Sequence, residues 1–227
     1  MIDLSQLSPM MQHYMETKKE YPDCVLFYRL GDFYEMFFDD ALTVSKELEI
    51  TLTGKDCGLS ERAPMCGVPF HALDSYLYRL VQKGYKVAIA EQMEDPRQAK
   101  GLVKREVIRV VTPGTITSSQ VLDETKNNYL MGIVYMDGIY GISTADISTG
   151  DFMVTEVDSD RELFDEINKF SPSEIICNNA FYMSGVDMDE LKNRYQVVIS
   201  ALDSRFFGEE SCRRILMEHF KVGALVG

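Results

Sequence analysis

Residues 24–48, CVLFYRLGDFYEMFFDDALTVSKEL, decide the fold of the N-terminal half of the chain. Residues 24–29 form an apolar and aromatic run that ends at the turn pair Gly31-Asp32, which predicts a buried strand. Residues 33–38 are again aromatic and predict a second extended segment after the turn. Asp39-Asp40 can then cap a helix. The stretch therefore predicts a strand, a tight turn, an aromatic segment and a helix as one unit.

Alternating helices and strands continue on both sides of this stretch. Ser8-Pro9 predicts the start of a helix before it, with proline at the first helical position. Residues 54–70 are rich in Gly, Pro and Cys and are predicted as loop or short strand. The later elements are a helix over residues 73–81 and strands over residues 85–90 and 107–111. This alternation predicts an α/β first domain over residues 1–115.

A second domain is predicted after a linker at residues 116–127, because Pro113-Gly114 signals a turn and the polar run after it offers little to a core. Asp137-Gly138 and Thr149-Gly150 are hairpin signals that separate three strand-like segments, residues 129–135, 139–147 and 151–157. The later elements are helices over residues 161–170, 188–194 and 209–220 and strands over residues 174–177 and 196–199. This order over residues 128–227 is the order of ribonuclease-H-like folds, which by itself assigns no activity.

The formal net charge of -13 is distributed unevenly. Residues 1–120 carry 14 basic and 17 acidic side chains, whereas residues 121–227 carry 9 and 19. Acidity argues against a polyanionic partner, but the first half is close to neutral. Between residues 97 and 109, one acid, Glu106, stands among five basic residues: Arg97, Lys100, Lys104, Arg105 and Arg109. This run is equally consistent with a solvated face and with an anion-binding one.

The five cysteines are odd in number and never spaced CxxC, unlike a disulfide framework or a zinc knuckle. No apolar run approaches the roughly 20 residues that span a bilayer, and the N-terminus lacks a signal-peptide pattern. We therefore expect a reduced, cytoplasmic protein with no membrane association.

Catalytic motifs are weak in this sequence. Thr53-Gly54-Lys55 contains a Gly-Lys pair, but Glu49 and Asp56 stand where a phosphate loop requires glycine and Ser or Thr. The histidines lack metal-ligand spacing. A two-metal nuclease would need carboxylates on the first strand of the ribonuclease-H-like domain, yet residues 130–136 have none, and Asp146 has no obvious partner. The sequence therefore predicts a binding module without catalytic residues, metal or cofactor.

The segment after Gly31-Asp32 is the most informative for function. In an extended chain, Phe33 and Glu35 lie on one face and Tyr34 lies on the other. Phe33 could pack into the core and leave Glu35 solvated. Alternatively, the turn that Gly31 permits could direct Phe33 outward. The residues alone leave both alternatives open.

Four separated motifs together resemble the N-terminal region of the MutS family of DNA mismatch repair proteins. The motifs are GDFYEMF at 31–37, PMCGVPFHALDSYLYRLVQKGYKVAIAEQMEDP at 64–96, RVVTPGT at 109–115 and TADISTGDF at 144–152. The resemblance covers essentially the whole chain. It implies a mixed-sheet α/β mismatch-recognition domain followed by a ribonuclease-H-like α/β connector domain. It also implies that the lever, clamp and ATPase domains, with ATP and Mg, lie outside this chain.

By this resemblance, Phe33 and Glu35 are the Phe and Glu of the family's Phe-x-Glu mismatch-reading motif. An aromatic wedge that enters from the minor groove kinks the duplex, and a mispaired base resists this least because it has already lost stacking and pairing. A carboxylate repels phosphates, which weakens binding to intact duplex. At a mismatch, Glu35 could hydrogen-bond to the displaced base, either as the carboxylate or as the protonated acid.

The resemblance also gives the basic run a role, because Lys100, Arg105 and Arg109 could contact phosphates that flank the kink. The implied partners are mismatched double-stranded DNA, the remaining MutS domains, a second MutS subunit and, through the connector, MutL. The implied location is the bacterial cytoplasm, at the nucleoid. An alternative is a MutS-like scaffold or recombination protein that does not read mismatches. The intact Phe33 and Glu35 pair favours mismatch reading.

Overall fold

The computed structural model describes residues 4–94, 101–116 and 126–225. The chain divides into two compact units, Met1–Asp123 and Glu124–Gly227. Most of the predicted linker, residues 117–125, lies outside the described residues. Ile116, its predicted first residue, is buried in the core of the first unit. The packed part of this unit therefore extends at least to Ile116.

The first unit contains a six-stranded mixed sheet with the strand order β3-β4-β2-β1-β5-β6. Its strands are β1 (Cys24–Leu30), β2 (Phe33–Phe37), β3 (Thr53–Lys55), β4 (Ala63–Pro69), β5 (Lys86–Gln92) and β6 (Arg105–Val111), and its helices are α1 (Pro9–Glu20), α2 (Phe38–Leu48) and α3 (Leu73–Gln82). β1 and β5 are parallel, whereas the other neighbouring strands are antiparallel. The mixed-sheet α/β fold predicted for this half is confirmed.

Both faces of the first sheet are covered, because successive side chains on a strand point to opposite faces. On β1, Phe27 packs with the core that α2 and α3 supply. Leu26 and Tyr28 face the other way and pack with Met11 and Tyr14 of α1. The sheet thus lies between two helical layers.

Residues 54–70 were predicted as loop or short strand, and the structure places more strand there than expected. β4 has seven residues and lies inside the sheet, between β3 and β2. Gly67 and Pro69 lie within this strand, and because both residue types are typical of turns, the sequence did not indicate a strand here. A Cβ at Gly67 would lie 3.3 Å from the carbonyl oxygen of Tyr34, so glycine permits this close approach.

The predicted helix cap at Asp39-Asp40 is wrong. Helix α2 begins at Phe38 after Phe37, with no side-chain cap. The buried Asp40 carboxylate instead accepts hydrogen bonds from the Leu26 amide at 2.9 Å and the Tyr14 hydroxyl at 3.1 Å, and pairs with Lys18 at 2.9 Å. The charge can be buried because these donors satisfy it. The same contacts connect α2, which carries Asp40, to β1 and α1.

The second unit contains a five-stranded mixed sheet with the order β11-β10-β7-β8-β9. Its strands are β7 (Tyr129–Met136), β8 (Ile139–Asp146), β9 (Asp151–Val157), β10 (Glu174–Cys177) and β11 (Val198–Ala201), and its helices are α4 (Asp160–Phe170), α5 (Asn179–Tyr182), α6 (Met188–Tyr195) and α7 (Glu209–Phe220). The three antiparallel strands precede two that run parallel to β7. This is the order predicted for the ribonuclease-H-like half.

The hairpin signal at Asp137-Gly138 is confirmed. Both residues have positive φ, 52° and 87°, and they join Met136 directly to Ile139 in the ladder between β7 and β8. Two successive positive φ angles are typical of the type I′ turn. No helix within the described ranges is long and apolar enough to cross a membrane.

Candidate functional site

The turn between β1 and β2 directs Phe33 to the surface. Gly31 has a φ of 58°, and Leu30 pairs directly with Phe33 across the two-residue turn. Arg29 supports the turn by donating from Nε to the carbonyl oxygen of Gly31 at 2.6 Å. Phe33 is 46% exposed. Its exposure agrees with the outward orientation and not with packing into the core.

The neighbouring residue, Tyr34, anchors the strand that carries Phe33. Its ring is buried on the opposite face, and its hydroxyl donates to Glu91 Oε2 at 2.6 Å. Burial first, and then the hydrogen bond to Glu91, raises the pKa of Tyr34 to about 12. The phenol therefore remains a neutral donor near neutral pH, and β2 is held on both sides by β1 and β4.

Glu35 shares a face with Phe33, but its carboxylate already has a partner. Its side chain is 15% exposed, and Oε2 lies 2.5 Å from the ammonium of Lys55. Gly67 lies opposite Glu35 in the ladder between β2 and β4, and a Cβ there would be 3.5 Å from Glu35 Cγ. The structure thus places Phe33 and Glu35 on one face of β2 and brings a third residue, Lys55, to Glu35.

The sequence did not indicate a role for Lys55, which is there only part of an incomplete phosphate-loop pattern. Lys55 ends β3, and the pairing of β3 with β4 and of β4 with β2 brings it to Glu35. This pairing is non-local, and no short-range signal in the sequence reports it.

The two predicted phosphate-contacting residues that the structure describes, Arg105 and Arg109, lie in different environments. Lys100 lies outside the described residues. Arg109 is exposed on the edge strand β6, but it pairs with Ile89, whose face packs against α2 and α3. Phe33 lies on the other face, and three strand spacings of about 4.8 Å separate β2 from β6. The structure therefore does not place Arg109 beside Phe33.

The side chain of Arg105, another predicted phosphate contact, is turned into the unit. Arg105 is 6% exposed, and its guanidinium donates to the carbonyl oxygens of Arg29 and Val103, each at 2.7 Å. It also lies 5.1 Å from the centroid of the Tyr28 ring. A guanidinium engaged in this way links β6 to β1, which lies two strands away in the sheet, and its predicted phosphate contact stays a prediction.

Lys104 also has an internal partner, since its ammonium lies 2.5 Å from Glu106 Oε1. The hydrogen bond that Lys104 donates to Glu106 raises the pKa of Lys104 above its usual value. Three basic residues of the run are described. Among them, only the Arg109 side chain forms no ion pair or hydrogen bond with a described residue.

Asp146 in the second unit has a structural role. It is buried, and its carboxylate accepts hydrogen bonds from the amides of Asn128, Ser148 and Thr149 at 3.0, 2.8 and 3.3 Å. Burial alone would raise the pKa of Asp146, but these hydrogen bonds outweigh it and lower the pKa. Asp146 therefore closes the turn between β8 and β9. Across the described ranges, no group of three or more His, Cys, Asp or Glu could hold a metal ion.

Comparison with known proteins connects the two units to one family. Residues 8–120 match the family model for MutS domain I, and residues 128–227 match that for MutS domain II. The chain belongs to the MutS family. Proteins named DNA mismatch repair protein MutS are similar to it along nearly its whole length. The resemblance noted from the four sequence motifs is confirmed.

Three relatives illustrate the extent of this similarity. The MutS of Lachnoclostridium phytofermentans is 62% identical over 224 residues, which are 99% of this chain and 24% of the relative. The proteins of Acetivibrio thermocellus and Ruminiclostridium cellulolyticum are 57% and 53% identical over 221 residues, each 96% of this chain and 25% of the relative. The chain thus spans about a quarter of the length of these MutS proteins.

Proposed function

We propose that this chain reads mispaired or unpaired bases in double-stranded DNA as the N-terminal part of a MutS mismatch repair protein. One observation carries the proposal: an exposed aromatic ring and a carboxylate lie two residues apart on one face of a strand that is held on both sides. Phe33 is the wedge, and Glu35 contacts the displaced base.

The exposure of Phe33 suits a wedge. Its strand β2 has ladder partners on both sides, so the backbone that presents the ring resists displacement. Inserting such a ring unstacks a base step, which costs roughly a few kcal/mol in intact duplex and less where pairing is already lost. The difference between these two costs is the selectivity of the proposed mechanism.

Glu35 adds to selectivity through its charge. A carboxylate near the DNA backbone is repelled by phosphates, and this repulsion is not offset at a matched step. At a mismatch, a hydrogen bond from the displaced base to the carboxylate offsets it. Glu35 therefore lowers affinity for matched DNA more than for mismatched DNA.

The second unit serves as the connector in this proposal. It links mismatch reading to the ATPase domains of the longer protein and provides a contact for MutL, and a second MutS subunit completes the DNA-binding assembly. The match of residues 128–227 to MutS domain II supports this role. This chain contributes binding, whereas ATP and Mg act in other domains. The protein works in the bacterial cytoplasm, at the nucleoid.

The test is to compare matched and mismatched duplexes in a full-length MutS protein that carries this chain as its N-terminal part. The wild type should prefer the mismatch, and Glu35→Ala should raise affinity for the matched duplex relative to the mismatched one. Titration by fluorescence anisotropy at two salt concentrations measures both. Equal affinity of the wild type for the two duplexes would contradict mismatch reading and favour a scaffold role.

A further inference from the structure

We propose that Lys55 is a positioning residue for mismatch reading, which orients the Glu35 carboxylate before DNA binds. The inference rests on the proposed function of Phe33 and Glu35 and adds a residue to it. It starts from the 2.5 Å distance between Lys55 Nζ and Glu35 Oε2.

The ion pair crosses an intervening strand. Lys55 lies on β3 and Glu35 on β2, and β4 lies between them in the sheet. Lys55 pairs with Ala63 and Glu35 pairs with Gly67, so the two residues are also offset by four residues along β4. Two strand spacings of about 4.8 Å and this offset mean that both long side chains must extend diagonally over β4 to meet. Gly67 adds no side chain beside Glu35, where a Cβ would lie 3.5 Å from Cγ.

The surroundings restrict both partners. Lys55 Nζ lies 5.7 Å from the centroid of the Phe37 ring, where the face of the ring attracts a cation. The side chains of Lys55 and Glu35 are 33% and 15% exposed, so both are more enclosed than those of the Lys104 and Glu106 pair, at 67% and 49%. The carboxylate is thus held in one orientation on the face of β2 that also carries Phe33, which lowers the entropy cost of ordering it on DNA.

The geometry divides the two carboxylate oxygens between two tasks. Lys55 engages Oε2, and no described residue donates a hydrogen bond to Oε1. A carboxylate can accept several hydrogen bonds at once, so Oε1 remains an acceptor for the edge of a displaced base. Lys55 therefore fixes which oxygen Glu35 presents to the displaced base.

A double-mutant cycle in the full-length protein tests this role. The variants are Lys55→Met, Glu35→Ala and the double variant, and the readout is the ratio of matched to mismatched Kd. Lys55→Met should lower this ratio about threefold or more, as expected for coupling between contacting residues. In the Glu35→Ala background the same change should have no further effect. Lys55→Arg should retain most of the preference.

The matched control is Lys83→Met, which breaks a comparable ion pair with Glu47 at 2.8 Å. Lys83 follows α3, on the other face of the sheet, so its loss should leave the Kd ratio unchanged. Thermal unfolding of the chain should change little in either variant, because partly exposed ion pairs add about 0–1 kcal/mol.

Three outcomes would overturn the role of Lys55. One is an unchanged Kd ratio in Lys55→Met. Another is an equal loss of affinity with and without Glu35, accompanied by a salt slope lower by about one, which would identify Lys55 as a direct phosphate contact. The third is failure of the proposed function itself. It is distinguished from the other two because the wild type would then show no preference for mismatched DNA.

Discussion

Two hairpins, one in each unit, are built alike and differ at their tips. Each has a two-residue turn, Gly31-Asp32 or Asp137-Gly138. The second residue of each second strand is a buried tyrosine, Tyr34 or Tyr140, whose hydroxyl donates to a carboxylate at 2.6 Å. Both tips expose apolar side chains. The anchoring of the strand is therefore common to both hairpins and does not itself indicate a site.

The second strand of each hairpin begins with an exposed apolar residue, Phe33 or Ile139. Two residues later, the first hairpin has Glu35 and the second has Gly141. Met136, on the first strand of the second hairpin, is 68% exposed, more than Phe33 at 46%. Exposure alone thus does not distinguish a functional tip. In the proposed function, the distinguishing feature is an aromatic ring together with an oriented carboxylate on the same face.

The largest expected effect separates the two tips directly. Phe33→Ala in the full-length protein should reduce the preference for mismatched over matched DNA about tenfold or more, since stacking of one base on an aromatic ring is worth about 1–3 kcal/mol. Met136→Ala, the matched change at the other tip, should leave the preference unchanged. Competitive titration measures both. A similar loss in the two variants would show that exposure, and not the particular tip, matters.

The next effect sharpens the boundary of the proposed DNA surface. Arg105→Ala should lower the free energy of unfolding by about 1–3 kcal/mol, because it leaves the carbonyl oxygens of Arg29 and Val103 without a donor. Arg109→Ala should leave folding unchanged, weaken matched and mismatched binding equally and lower the salt slope by about one, as expected for the loss of one phosphate contact. Denaturant titration and salt-dependent binding measure the two responses. A destabilised Arg109→Ala variant would contradict this division.

The smallest effect tests the similarity of the two hairpins. Burial first, and then the hydrogen bond to Asp160, raises the pKa of Tyr140 to about 12, as burial and Glu91 do for Tyr34. An unfolded tyrosine titrates near pH 10, so the stabilisation is complete below about pH 10 and is lost as pH rises toward 12. Tyr34→Phe and Tyr140→Phe should each reduce this alkaline loss by a similar amount. Unequal reductions, measured by denaturant titration between pH 8 and about 11, would break the comparison.

Local patterns predicted much of the fold. The predicted strands over residues 151–157 and 174–177 coincide with Asp151–Val157 and Glu174–Cys177. Each is bounded by turn residues, and its pattern needs no distant partner. The sequence left two alternatives for Phe33, packing into the core or pointing outward. The second was predictable because glycine readily adopts the positive φ that a tight turn requires.

The contacts that sequence patterns could not predict join residues that lie far apart in the chain. The contact between Lys55 and Glu35 depends on the register of three strands, and the burial of Arg105 depends on a carbonyl oxygen 76 residues away in the chain. Asp40 similarly turned from a predicted cap into a buried acceptor because β1 and α1 present donors to it. In each case the side chain's partner lies on another element.

The kink at a mismatch is the most direct measurement of the proposed wedge. Energy transfer between dyes at the two ends of a mismatched duplex should report bending when the full-length wild type or Met136→Ala binds at saturation. Phe33→Ala, at concentrations that also saturate the duplex, should leave it close to straight, because no ring opens the base step. An equal bend with wild type and Phe33→Ala would contradict the central claim that Phe33 is the wedge.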